Sequence, residues 1–139
     1  MSASLYHEAL VQRAKTAHGK GRLDKPSTSI TLDNPLCGDR VTIDISTTDG
    51  RVDHIGHVVR GCILCEAAAA TIAEFCQGHD PAGIRSILPA IRSMMRDGAA
   101  PPADWPCLDI FTPVYQAKSR RDCVLLPFEA FEKALDAAF

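Results

Sequence analysis

Between Arg40 and Ser46, apolar Val41, Ile43 and Ile45 alternate with polar Thr42 and Asp44. This period of two turns one face of a β-strand to a core and the other to solvent. Two flanking stretches, Thr28 to Leu32 and Val52 to Val59, read as further strands. Asp49-Gly50 lies between the second and third runs. That dipeptide suits a two-residue hairpin turn, so these strands are predicted to pair antiparallel. After Gly61 the pattern changes: Leu64, four consecutive alanines, Ile72 and Phe75 precede Gly78. Cys62 to Cys76 is therefore predicted to be a helix of about four turns, built from strong helix formers and stopped by glycine.

Other helical signals surround this centre. Leu5 to Lys15 places Leu5, Ala9 and Leu10 on one side of a short amphipathic helix that ends at Gly19-Lys20-Gly21. Asp80-Pro81 supplies an N-cap and a first-turn proline for a helix toward Arg96, stopped by Gly98. Pro89 inside it predicts either a kink or two shorter helices. Ala99 to Trp105 reads as a loop. From Cys123 or a little after, Phe128, Phe131, Leu135 and Phe139 trace an amphipathic last helix. Strands followed by helices predict the α+β class, a three-stranded antiparallel sheet packed on one face by helices. At 139 residues, without an internal repeat, the chain is expected to be one domain spanning 1–139.

Composition narrows the function classes. Hydrophobic residues at 46% and charged residues at 23% describe a folded chain rather than a disordered one. The net charge of -2 and a pI near 6.2 argue against a partner bound by broad phosphate neutralisation, so no nucleic acid is expected. No run of 18 apolar residues occurs, and the first residues lack a basic start followed by an apolar stretch. Neither a membrane partner nor a secretory signal is predicted, and the expected location is cytoplasmic. In a reducing compartment six cysteines point to metal binding or thiol chemistry rather than disulfides.

Three of the six sit where local structure would expose them. Cys37 lies in Asn34-Pro35-Leu36-Cys37-Gly38-Asp39, where Pro35 and Gly38 permit a tight bend that could turn Cys37 and Asp39 toward one point. Cys62 opens the alanine-rich helix and Cys123 the last one, where a helix N-terminus favours the thiolate. Three thiolates and one carboxylate would suit tetrahedral zinc, or iron during cluster building. With zinc the shell sums to -2, and Arg40, Arg120 and Arg121 stand close enough in sequence to offset it. The harder oxygen of Asp39 would be the ligand most easily exchanged. Cys76 shares a helix face with Ile72 and Phe75 and reads as core, as does Cys107 beside Pro106 and Leu108. Cys65, one turn after Cys62, could be a further ligand, a resolving thiol or a buried side chain. His54, His57 and His79 follow no metal-ligand spacing.

Asn34-Pro35-Leu36-Cys37-Gly38-Asp39-Arg40, Gly61-Cys62 before a small-residue helix, and Arg120 to Cys123 before the last helix together resemble the NifU N-terminal, IscU and SufU family of iron-sulfur cluster assembly proteins. The long stretch between Cys62 and Cys123 is similar to the SufU branch. Gln116 to Arg120 stands in place of the Leu-Pro-Pro-Val-Lys sequence by which IscU proteins engage a chaperone, so no such partner is expected. The resemblance implies a SufE/NifU-like fold and zinc held by Cys37, Asp39, Cys62 and Cys123, with Cys37 accepting persulfide sulfur from a SufS-like cysteine desulfurase. It equally implies a transient iron-sulfur cluster on Cys37, Cys62 and Cys123, passed to downstream iron-sulfur acceptor proteins. The chain would then be a scaffold or a zinc-dependent sulfurtransferase; a zinc-stabilised interaction module without sulfur chemistry is the alternative. Lys15 to Lys20, Cys65-Glu66 and Asp122 depart from the family pattern.

Overall fold

The computed structural model describes residues 7–36 and 38–139. Helix α1, Glu8–Thr16, precedes strands β1 (Thr28–Asn34), β2 (Asp39–Thr48) and β3 (Arg51–Arg60). Helices α2 (Ile63–Cys76), α3 (Pro81–Ile84) and α4 (Ile87–Asp97) follow, then 3₁₀ turns over Pro106–Gln116 and Lys118–Arg120, and finally α5 (Arg121–Ala138). The Leu5 end of the expected first helix lies outside the described residues.

The sheet is an antiparallel meander in the order β1-β2-β3. Ile43 pairs with Ile30 on one side and His57 on the other, so the alternation of β2 sets the buried face for all three strands. Asp49 and Gly50 have φ of 53° and 76°, both in the left-handed region that the sharp β2–β3 hairpin requires. Val41, Ile43 and Ile45 are fully buried, with α5 across β1 and β2 and α2 against β3.

Helix α2 is enclosed by α1, α5 and the sheet. Its alanines, Ala67 to Ala70, are all fully buried, because small side chains are what let neighbours close in from several sides. The helix expected from Asp80 toward Arg96 is two helices. Asp80 Oδ1 accepts from Ala82 N–H at 2.8 Å to cap α3, and the break at Arg85–Ser86 leaves Pro89 in the first turn of α4, where its missing N–H has no intrahelical partner to lose. Phe139 corrects the reading of the last helix: it follows the end of α5 and is 46% exposed, so the buried stripe ends at Leu135.

The outer face of the sheet is crossed by the segment between α1 and β1. Gly19 and Gly21 bond the backbone of His57 along the open edge of β3, which removes unpaired strand groups from solvent. The segment then delivers Arg22 Nε (2.6 Å) and Leu23 N–H (3.1 Å) to the carboxylate of Asp44, which also accepts from Ser29 Oγ at 2.5 Å. Asp44 is fully buried on the face where alternation alone would have left it wet.

Candidate metal centre

Three separately folded elements converge at one end of the sheet. Asn34 and Asp39 are cross-strand partners at the mouth of the β1–β2 connection. Asn34 closes the connection twice: its side-chain oxygen accepts from Leu36 N–H at 3.1 Å and its carbonyl from Gly38 N–H at 2.8 Å. Gly38 takes φ +70°, a conformation that favours glycine. Cys62 is the N-cap of α2, and Cys123 sits in the first turn of α5.

The ligand atoms of Asp39, Cys62 and Cys123 all lie within 4.8 Å of one another. Cys62 N–H donates to Asp39 Oδ1 at 3.2 Å, while Cys62 Sγ lies 3.8 Å from Oδ2. A tetrahedral zinc with sulfur at ~2.3 Å and oxygen at ~2.0 Å requires donor separations of roughly 3.5–3.8 Å, so the cluster is already close to the needed size. Cys62 caps α2 and Cys123 lies in the first turn of α5, so both stand at the positive ends of helix dipoles. Cys37 lies outside the described residues.

The burial of the cluster departs from the sequence expectation. Asp39 is 4% exposed and Cys123 fully buried, because α5 lies across β1 and β2; Cys62 alone is half-buried. Two of the three arginines expected to offset the charge have partners of their own. Arg40 pairs with Asp33 at 2.6 Å, and Arg121 bonds the Tyr115 carbonyl and stacks 4.0 Å from that ring's centroid. Cys65 is fully buried within the hydrophobic core. Burial, with Cys107 as a second cause, pushes the Cys76 thiol far up; Cys107 rises to about 11 through burial, against the opposing pull of Arg13. Both therefore remain thiols at neutral pH, as packing residues should. His57, which follows no metal-ligand spacing, lies in β3 and is enclosed, its Nε2 2.7 Å from the His18 carbonyl.

Residues 5–137 match the NifU-like N-terminal domain. The chain belongs to that family. NifU-like relatives include the iron-sulfur cluster assembly scaffold protein IscU of Thermotoga maritima, 23% identical over 131 residues, covering 94% of this chain and 92% of that one. The zinc-dependent sulfurtransferase SufU of Bacillus subtilis is also 23% identical, over 133 residues, 95% of this chain and 90% of that one. Among solved structures, a NifU-like N-terminal protein from Brucella abortus superposes with a TM-score of 0.89 at 26% identity, covering 96% of this chain and 94% of the other. The three-stranded sheet with its helical cover is thus the NifU-like fold.

Sequence reasoning used Gly61 as the boundary between β3 and α2 and as part of the Gly61-Cys62 motif, and gave it no contact of its own. The structure puts it against the Asp39 side chain. A glycine directly before a ligand cysteine was the available signal.

Proposed function

We propose that this NifU-like chain is an iron-sulfur cluster assembly protein of SufU type, with Cys37, Asp39, Cys62 and Cys123 as its metal ligands. The observation that carries this reading is the convergence of Asp39, Cys62 and Cys123 from a strand start and two helix N-termini, within 4.8 Å. Two sulfurs and one oxygen, joined by the Cys37 sulfur from the adjoining loop, make a four-ligand set that fits zinc and equally an iron centre under construction. A bound zinc would keep these thiols deprotonated at neutral pH. The proposed place of work is the cytoplasm; no helix among the described residues is long and apolar enough to cross a membrane.

Sulfur enters at Cys37. Its thiolate attacks the outer sulfur of a persulfide on a cysteine desulfurase. One S–S bond forms at Cys37 Sγ as the donor's S–S bond breaks, and the desulfurase cysteine leaves as a thiolate, so the exchange needs no outside oxidant. Asp39 supports that step: its carboxylate is held at one oxygen by the Cys62 amide and presents the other toward the cysteines. Being the only hard donor of the set, it is the ligand that yields most readily. The sulfur, or a cluster built from iron and sulfide as cargo, then passes to downstream iron-sulfur acceptor proteins.

The test is incubation of the purified protein with a cysteine desulfurase and free cysteine, followed by intact-mass analysis. One added sulfur atom and faster desulfurase turnover are expected, and both should vanish in Cys37→Ala. A brown chromophore with iron and sulfide, lost in the same variant, would identify the scaffold form. If wild-type protein shows no persulfide, no stimulation and no chromophore, the sulfur chemistry is wrong and a zinc-stabilised interaction module remains.

A further inference from the structure

Gly61 is an exposed residue in the bend between β3 and α2, and its φ lies outside the left-handed region. Its backbone conformation would therefore accept any residue, unlike Gly21, Gly38, Gly50 and Gly78, which have positive φ and open space where a Cβ would stand. What excludes a side chain at 61 is Asp39. A Cβ there would overlap the Asp39 carboxylate, coming closest to Oδ1, with Cγ at 2.7 Å and Cβ at 3.0 Å. The space left by the missing methyl group is filled by the carboxylate itself. From that position Oδ1 reaches the Cys62 N–H and Oδ2 faces the Cys62 sulfur.

We propose that Gly61 is a positioning residue for the oxygen ligand: its bare Cα is the seat that holds the Asp39 carboxylate on the metal face of the site. This rests on the metal-centre reading above. Neither side of the contact can move away freely. Asp39 is fixed by its register with Asn34 at the head of β2, and Gly61 adjoins the N-cap of α2. An added methyl group must therefore turn the carboxylate out rather than displace the backbone, and the fourth ligand is lost while the thiols stay.

The experiment is a double-mutant cycle of Gly61→Ala and Asp39→Ala, read by competition with a zinc-chelating dye, by the ligand-field spectrum of the cobalt-loaded protein, and by metal-free thermal unfolding. Gly61→Ala should weaken zinc binding by about 10–100-fold, the usual effect of losing a group that orients a ligand. It should match Asp39→Ala and give the same cobalt spectrum. The double variant should bind no more weakly than Asp39→Ala alone, since both changes remove one ligand. Wild-type affinity in Gly61→Ala, or losses that add in the double variant, would overturn the seat.

If Gly61→Ala folds poorly, the cycle still decides. Removing the Asp39 carboxyl takes away the closest overlaps and leaves only its Cβ, at 3.0 Å, so Asp39→Ala should restore most of the folding of Gly61→Ala, and failure to improve it counts against the proposal. Should wild-type protein bind zinc no better than Cys62→Ser, the metal-centre reading fails, while the metal-free rescue still tests the contact.

Discussion

Asp44 and His57 are polar groups enclosed away from the metal centre, and both were invisible as such in the sequence. Alternation placed Asp44 on the solvent face of β2; its burial comes from Arg22 and Leu23, some twenty residues earlier, which no local pattern reports. Burial pushes the Asp44 carboxyl up, but the hydrogen bonds from Arg22, Ser29 and Leu23 outweigh it and hold the pKa below 3.8. Its stabilisation is therefore present at neutral pH and lost only as pH falls through that lowered value. Asp44→Asn would keep the shape but set an amide against converging donors, costing about 1–3 kcal/mol by urea unfolding at pH 7. His57 behaves differently. Burial chiefly, with Lys20 and His18 adding to it against the hydrogen bond to the His18 carbonyl, lowers its pKa below 6.5. The unfolded chain then binds a proton that the folded chain refuses, so stability falls as pH drops below 6.5. The unfolding midpoint should decline between pH 7 and pH 5, and more shallowly in His57→Gln, whose amide can still donate to the His18 carbonyl. Equal slopes would show that another group is responsible.

Elements with a strong periodic signal were legible, and those shaped by proline were not. The β2–β3 hairpin follows from alternation plus Asp49-Gly50, and α2 from its alanines and flanking glycines. Pro106–Gln116 buries Leu108, Phe111 and Val114 at a spacing of three, the 3₁₀ repeat, with Pro106 at its first position and Pro113 inside it. Neither the alternation of a strand nor the 3.6-residue period of an α-helix reports such a segment. Helix α5 runs through Pro127, which lacks the N–H that an uninterrupted helix would direct at the Cys123 carbonyl; burial of its neighbours holds the helix together across that defect. The site divides the same way. Asp39 and the cysteines were readable as residue types at turns and helix starts, whereas the seat at Gly61 depends on two strand ends meeting. The tight fit of α2 gives a direct test. Ala68→Leu adds volume where sheet and helices already meet and should lower stability by about 1–3 kcal/mol, while Glu74→Ala on the exposed face of the same helix should change it by no more than about 0.5. A well-tolerated Ala68→Leu would mean that α2 packs more loosely than its complete burial implies.

Across the whole molecule the ligand set ties together three parts that are distant in sequence: the β1–β2 end, the start of α2 and the start of α5. A metal held there binds the folded state far better than the unfolded chain, so folding and loading should be linked. At free zinc a hundredfold above the dissociation constant, the expected gain is about 2.7 kcal/mol. For a domain of this size that corresponds to a rise in melting temperature of roughly 10 °C. The rise should be seen by comparing zinc-loaded with chelator-treated protein, and it should be lost in Cys62→Ser and Cys123→Ser. Cys76→Ser provides the contrast: its thiol is buried apart from the ligand cluster, so it should lower the baseline stability yet keep the zinc-dependent rise. A zinc effect of equal size in all three variants would mean that the ion binds elsewhere, and that the convergence of these three elements is packing without ligation.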